Sequence, residues 1–94
     1  MRIAEHPRSF QKAWRVTDKK IKKIFEERIK LFEKDPTNHV LHDEPLDDRK
    51  DKWAGHRKFC VTRDVGVIYK LLEKDLAQLI TIGKHNKLFP RRYN

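Results

Sequence analysis

Residues 57–83 read RKFCVTRDVGVIYKLLEKDLAQLITIG, and this stretch decides the fold. Phe59 and Val61 alternate with polar neighbours as one face of a strand requires, and a polar break follows at Thr62-Arg63-Asp64. Val65, Val67, Ile68, Tyr69, Leu71 and Leu72 then form a second, longer apolar run. Glu73-Lys74-Asp75 is a short polar connection, and Leu76 to Ile82 is a third run closed by Gly83. Connections this short suit antiparallel neighbours, so the three runs are predicted to pair as a meander. The continuous apolar stretch of the middle run marks a central strand covered by helices.

Working back from the meander, Thr37 to Gly55 shows little periodicity, and loops of that length are usually functional or mobile. Before it, Ile21, Ile24, Phe25, Ile29 and Phe32 keep the helical period, with Thr17 or Asp18 as the N-cap and Asp35-Pro36 as the stop. The outer face of this helix carries Lys19, Lys20, Lys22 and Lys23, which suit a solvated surface or contact with a polyanion. A shorter helix precedes it, with Phe10, Ala13 and Trp14 on one face, Ser9 as its cap, and an end near Val16-Thr17. Arg2 to Glu5 has the length of a strand and is stopped by His6-Pro7. The order strand, helix, helix, three strands is α+β: two N-terminal helices packed on a small, twisted, mostly antiparallel sheet.

Ninety-four residues, 37% of them hydrophobic, make a single domain over 1–94 with one modest core. Charged residues are 39% of the chain, yet the regular apolar spacing rejects disorder. Lys plus Arg number 23 against 14 acidic residues, a net charge of +9 that draws polyanions and makes nucleic acid the default partner. Cys60 is the single cysteine, so neither a disulfide framework nor a multi-thiolate zinc site can be built, and a reducing compartment fits. No apolar run reaches the roughly 20 residues needed to cross a bilayer, and Met1 to His6 lacks the apolar core of a signal peptide. The expectation is a cytoplasmic protein with no membrane partner.

Chemistry can sit at four places. His39-x-x-His42-Asp43-Glu44 contains metal-ligand side chains, but in a loop without the helical support of zinc-protease motifs, so no metal is expected. Gly83-Lys84-His85-Asn86-Lys87-Leu88-Phe89 sets a histidine between two lysines at a strand exit, followed by an aromatic. Together these offer a proton carrier, phosphate-binding cations and an exposed ring for base stacking, or else a polar tail with Phe89 packed on the core. Arg57, Lys58, Arg63 and Lys70 lie on or beside the strands, with Trp53 and His56 nearby. Alternation puts some of these charges on an open sheet face, where they track a phosphate backbone or simply keep that face soluble. Asp64 occupies the first meander turn, where a carboxylate commonly caps local N–H groups. Cys60 reads as a small core or sheet residue.

Glu44-Pro45-Leu46, Trp53-x-Gly55-x-Arg57, Asp64-x-x-x-Ile68-Tyr69-Lys70 and Ile82-Gly83-x-His85-x-x-Leu88-Phe89, in this order and spacing, resemble the RelE/ParE toxin superfamily, most closely its YafQ branch. The resemblance covers essentially the whole chain. It implies a toxin of a type II toxin–antitoxin pair, a ribosome-dependent endoribonuclease that cleaves mRNA without metal or other cofactor and so inhibits translation. By the same resemblance His85 matches the proton-donating histidine, Asp64 the acidic catalytic residue, and Phe89 the C-terminal aromatic that helps hold the nucleotide. Two positions depart from the pattern, Glu44 and Cys60 standing where the family has histidines. Glu44 or the nearby His42 is then the candidate general base, with Arg57 and Lys52 neutralising phosphate charge beside Lys84 and Lys87. The implied partners are the ribosome with its mRNA and a cognate antitoxin with an acidic, partly disordered segment. Operator DNA is implied only through the antitoxin complex. The same fold also serves ParE-like gyrase inhibitors, and a catalytically silent basic RNA-binding relative is the other alternative.

Overall fold

A computed structural model describes residues 1–46 and 52–90. Strand β1 (Arg2–Ile3) leads into helix α1 (Arg8–Arg15) and helix α2 (Lys19–Lys34). Strands β2 (Glu44–Pro45), β3 (Arg57–Cys60), β4 (Val65–Glu73) and β5 (Leu76–Lys84) follow, and a single helical turn, α3 (His85–Leu88), closes the described chain. The sheet order is β1-β5-β4-β3-β2, antiparallel except for β1, which runs parallel to β5. The expected α+β architecture is present, with β4 as the central strand. Three features exceed the expectation: a two-residue strand β2 and a 3-10 turn (His39–Leu41) inside the long loop, and helix α3. Residues 47–51 of that loop lie outside the described residues.

Local chemistry sets the boundaries. The Asp18 side chain accepts from the Lys20 N–H and caps α2, whereas α1 starts at Arg8 behind Pro7 with no side-chain cap. Ser9, expected as that cap, instead donates its hydroxyl to the Ile80 carbonyl at 2.6 Å and ties α1 to β5. At the β3–β4 turn the backbone N–H groups of Asp64 and Val65 donate to Thr62 Oγ1, so Thr62 does the capping expected of Asp64. Gly55, with φ +80°, takes the left-handed conformation that only glycine adopts without strain, and the chain turns there into β3.

The main core lies between the helices and one sheet face. Phe32 stacks on Phe59 with ring centroids 4.7 Å apart and meets Tyr69 edge-on at 4.9 Å, while Phe10 and Phe25 fill the space beneath α1. The opposite face is not bare. Leu46, Ile68 and Phe89 form a second, smaller core there, packed by Trp53, Ile80 and Leu88. Trp53 Nε1 donates to the Leu88 carbonyl at 2.9 Å and anchors the end of α3 on this face. Among the described residues no helix is long and apolar enough to cross a membrane.

Candidate active site

Strand alternation divides the charges of β3 between the two faces. Arg57 shares a face with Phe59, turned toward the helices, and Lys58 shares the other with Cys60. The register confirms the division: Arg57 stands opposite Tyr69, Lys58 opposite Ile68, and Cys60 opposite Gly66. Asp43 and Glu44 are split in the same way. Asp43 pairs with Arg57 and Glu44 with Lys58.

On the helix side, Arg57 donates through Nε to Tyr69 Oη at 3.1 Å and through Nη2 to Asp43 at 3.0 Å, and the Tyr69 hydroxyl donates to Asp43. Burial works against the Arg57 charge, but its bonds to Tyr69 and Asp43 outweigh that and hold the guanidinium above its ordinary pKa. Burial, reinforced by the bond to Asp43, pushes the Tyr69 phenol up as well. Arg57 was expected to neutralise phosphate. It is instead committed to a structural cluster on the face away from His85, because its position in the strand has the parity of the core residues.

On the other face His85 opens α3. Its backbone N–H donates to the Asp64 carbonyl at 2.8 Å, which fastens the helical turn to the β3–β4 turn and places Asp64 and His85 in one open depression with Lys84 and Asn86. The imidazole packs against the sheet over Gly66: a β-carbon at that position would stand 2.8 Å from His85 Nε2 and 3.0 Å from Cδ2. Nε2 is 3.9 Å from Cys60 Sγ, Cys60 Sγ is 3.7 Å from Lys58 Nζ, and Lys58 Nζ is 3.4 Å from Glu44 Oε1. A polar row therefore crosses the sheet from Glu44 to His85. The Asp64 carboxylate receives no hydrogen bond or ion pair from the described residues, and Thr62 has relieved it of capping the turn.

The remaining expected residues are distributed around this row. Phe89 is not the exposed ring expected for base stacking: it is 1% exposed, at the centre of the second core, and its role is to seat α3. Lys84 borders the His85 depression. Lys87 is exposed but turns toward the groove between the helices and the ends of β4 and β5. Lys52 is exposed, its ammonium 4.8 Å above the Trp53 ring. His42, in the left-handed conformation with φ 48°, is exposed on the rim. There it borders a cleft with Asp43, Arg57 and Tyr69 and a groove with Arg28, Cys60 and Arg63. Among the described residues no group of three or more His, Cys, Asp or Glu can hold a metal ion.

Sequence reading placed Lys58 and Trp53 only within a basic sheet face, without setting Lys58 beside His85, and passed over Gly66. The signals were present. The two-residue offset from Lys58 to Cys60 places both on the face opposite Phe59, and a glycine inside an apolar strand marks a close approach.

No family model matches the chain, and no curated protein matches it. Solved structures do. YafQ from E. coli strain BL21(DE3) is 26% identical and superposes with a TM-score of 0.72, over 95% of this chain and 99% of that one. The toxin of an E. coli DinJ–YafQ complex is 28% identical, with a TM-score of 0.62 over 95% and 99% of the two chains. A YoeB/ParE toxin from Agrobacterium tumefaciens, 19% identical with a TM-score of 0.65 over 90% and 99%, shares the fold.

Proposed function

We propose that the chain, similar to YafQ along nearly its whole length, is a RelE/ParE-type toxin of a toxin–antitoxin system and that it acts by cutting mRNA on the ribosome. The observation that carries this reading is the placement of His85. An imidazole is held over Gly66 by a backbone bond to Asp64, on an open face that also presents Lys84 and the Glu44–Lys58 pair. A gyrase inhibitor needs no imidazole at this place.

The reaction requires no metal. The 2′-hydroxyl gives its proton to the Glu44 carboxylate, the 2′-oxygen forms a bond to phosphorus, and the P–O5′ bond breaks as the His85 imidazolium delivers a proton to O5′. The products are a 2′,3′-cyclic phosphate and a 5′-hydroxyl. Asp64, exposed and sharing the depression with His85, places a carboxylate beside the reacting group. Lys84 and Lys52 hold flanking phosphates, and the +9 charge steers the protein to ribosomal RNA, which presents the codon in a fixed shape. Phe89 supports the nucleotide site indirectly, through α3. An antitoxin partner follows from the DinJ–YafQ likeness, and an acidic segment covering His85 and the basic residues around it would neutralise the toxin.

Primer extension on a defined mRNA, with and without translating ribosomes, tests the reading. Cuts that require ribosomes and fall by about 10²–10⁴-fold in His85→Ala are expected, with a comparable loss in Glu44→Ala and little in His42→Ala. Absence of cuts from the parent protein overturns the nuclease reading, and inhibition of gyrase supercoiling by the same preparation would replace it.

A further inference from the structure

Lys58 is the one strongly buried cation on the His85 face among the described residues, its side chain only 9% exposed. Lysine is almost never buried unless paired, and the pairing here is thin. An ammonium has three donors. Glu44, itself 43% exposed, accepts one at 3.4 Å, and the Cys60 sulfur, a weak acceptor, takes another at 3.7 Å. The third has no acceptor among the described residues. For stability alone an apolar side chain of the same length would serve this slot at least as well, since a buried ion pair repays its desolvation poorly. A retained charge with a spare donor points to an anionic ligand.

Geometry names that ligand. Lys58 Nζ and His85 Nε2 flank the same sulfur at 3.7 and 3.9 Å, so they stand no more than 7.6 Å apart on one face. Two hydrogen bonds of about 3 Å each and the width of one phosphate group cover that span. An ammonium at one end can therefore donate to a non-bridging oxygen while the imidazole at the other reaches a bridging oxygen of the same phosphodiester. Arg57, the neighbouring cation, is barred from this role by its bonds to Asp43 and Tyr69 on the other face.

We propose that Lys58 is a further catalytic residue, the cation that meets the scissile phosphate and neutralises the charge growing on its non-bridging oxygen. The proposal rests on the RNA-cleavage reading above and adds to it the residue that binds the reacting phosphate. Lys58 transfers no proton in this role, Glu44 and Cys60 orient its ammonium, and the stabilisation is greatest where the phosphorane charge is greatest.

The test pairs cleavage with a measurement that needs no cleavage. Lys58→Met removes the charge but keeps the length, and burial of an apolar chain there leaves the fold intact. Single-turnover cutting on programmed ribosomes is expected to fall by about 10²–10³-fold with ribosome affinity little changed, and Lys58→Arg is expected to recover part of the loss. In parallel, titrating each ribosome-free protein with inorganic phosphate should shift the amide resonances of Cys60, Gly66 and His85 in the parent and not in Lys58→Met. A Lys58→Met protein that cuts within about threefold of an active parent overturns the inference and leaves the nuclease reading standing. If the parent does not cut, the nuclease reading fails by itself. Phosphate shifts lost in Lys58→Met then keep Lys58 as an oxyanion site, and shifts absent from the parent or unchanged in the variant overturn it.

Discussion

Gly66→Ala is the sharpest probe of His85, because it removes no side chain of the polar row and displaces only one. The new β-carbon would lie 2.8 Å from His85 Nε2, 3.0 Å from Cδ2 and 3.5 Å from the Phe59 carbonyl. Heavy atoms rest at about 3.5–4.0 Å, so the ring must withdraw by roughly 0.7 Å or more. It can do so, being the outer end of a half-buried side chain at the rim of an open depression. Gly66 lacks a positive φ, so alanine is not strained by the backbone there. Loss of glycine entropy in the unfolded chain stabilises by about 0.4–1 kcal/mol, which offsets the displaced contacts, and the net change in stability should stay within about 1 kcal/mol. Activity should respond very differently. Misplacement of a reacting group by about 1 Å costs on the order of 10²-fold, so the variant should lose cleavage to a large fraction of what His85→Ala loses. Urea unfolding and single-turnover cutting on ribosomes read the two effects separately. A folded Gly66→Ala protein that cuts within about threefold of the parent would refute the argument that Nε2 reacts from its place over this glycine.

Two further predictions concern the framework. Phe89→Ala empties the centre of the second core and should cost about 3–5 kcal/mol in urea unfolding; a loss below about 1 kcal/mol would mean that the ring is free to stack on a nucleotide after all. Burial and the Asp43 bond raise the Tyr69 pKa in the folded protein, so folding stability is unaffected below about pH 10, the unfolded value, and falls as pH rises above it, by at most about 1.4 kcal/mol per pH unit. Denaturant midpoints measured across that range should show a loss that Tyr69→Phe lacks, and an equal loss in both proteins would be inconsistent with the buried phenol.

How much of this was legible before the structure differs between fold and site. The helical period of Ile21 through Phe32, the three apolar runs after Arg57 and the short polar breaks between them are local signals. Each depends on residues within a few positions of one another, and the elements fell where those signals lie. The parallel pairing of β1 beside β5 is not local, for it joins Arg2 to Leu76, and no spacing within either segment records it. Helix α3 is a single turn, too short for periodicity to show, and β2 is formed by two residues whose only reason to be extended is the partner strand.

The chain alone determined an α+β domain with a basic surface and placed His85 at a strand exit, because periodicity, charge and punctuation are properties of neighbours in sequence. Tertiary structure decided which cations share a face with His85, because one step along a strand reverses a side chain and only the packed helices say which side is covered. By that rule Arg57 went to Asp43 and Tyr69, and Lys58 to Cys60 and the open face. It also decided that Phe89, written four residues after a catalytic candidate, belongs to a core, since Leu46, Ile68 and Trp53 reach it only once the sheet has brought them together.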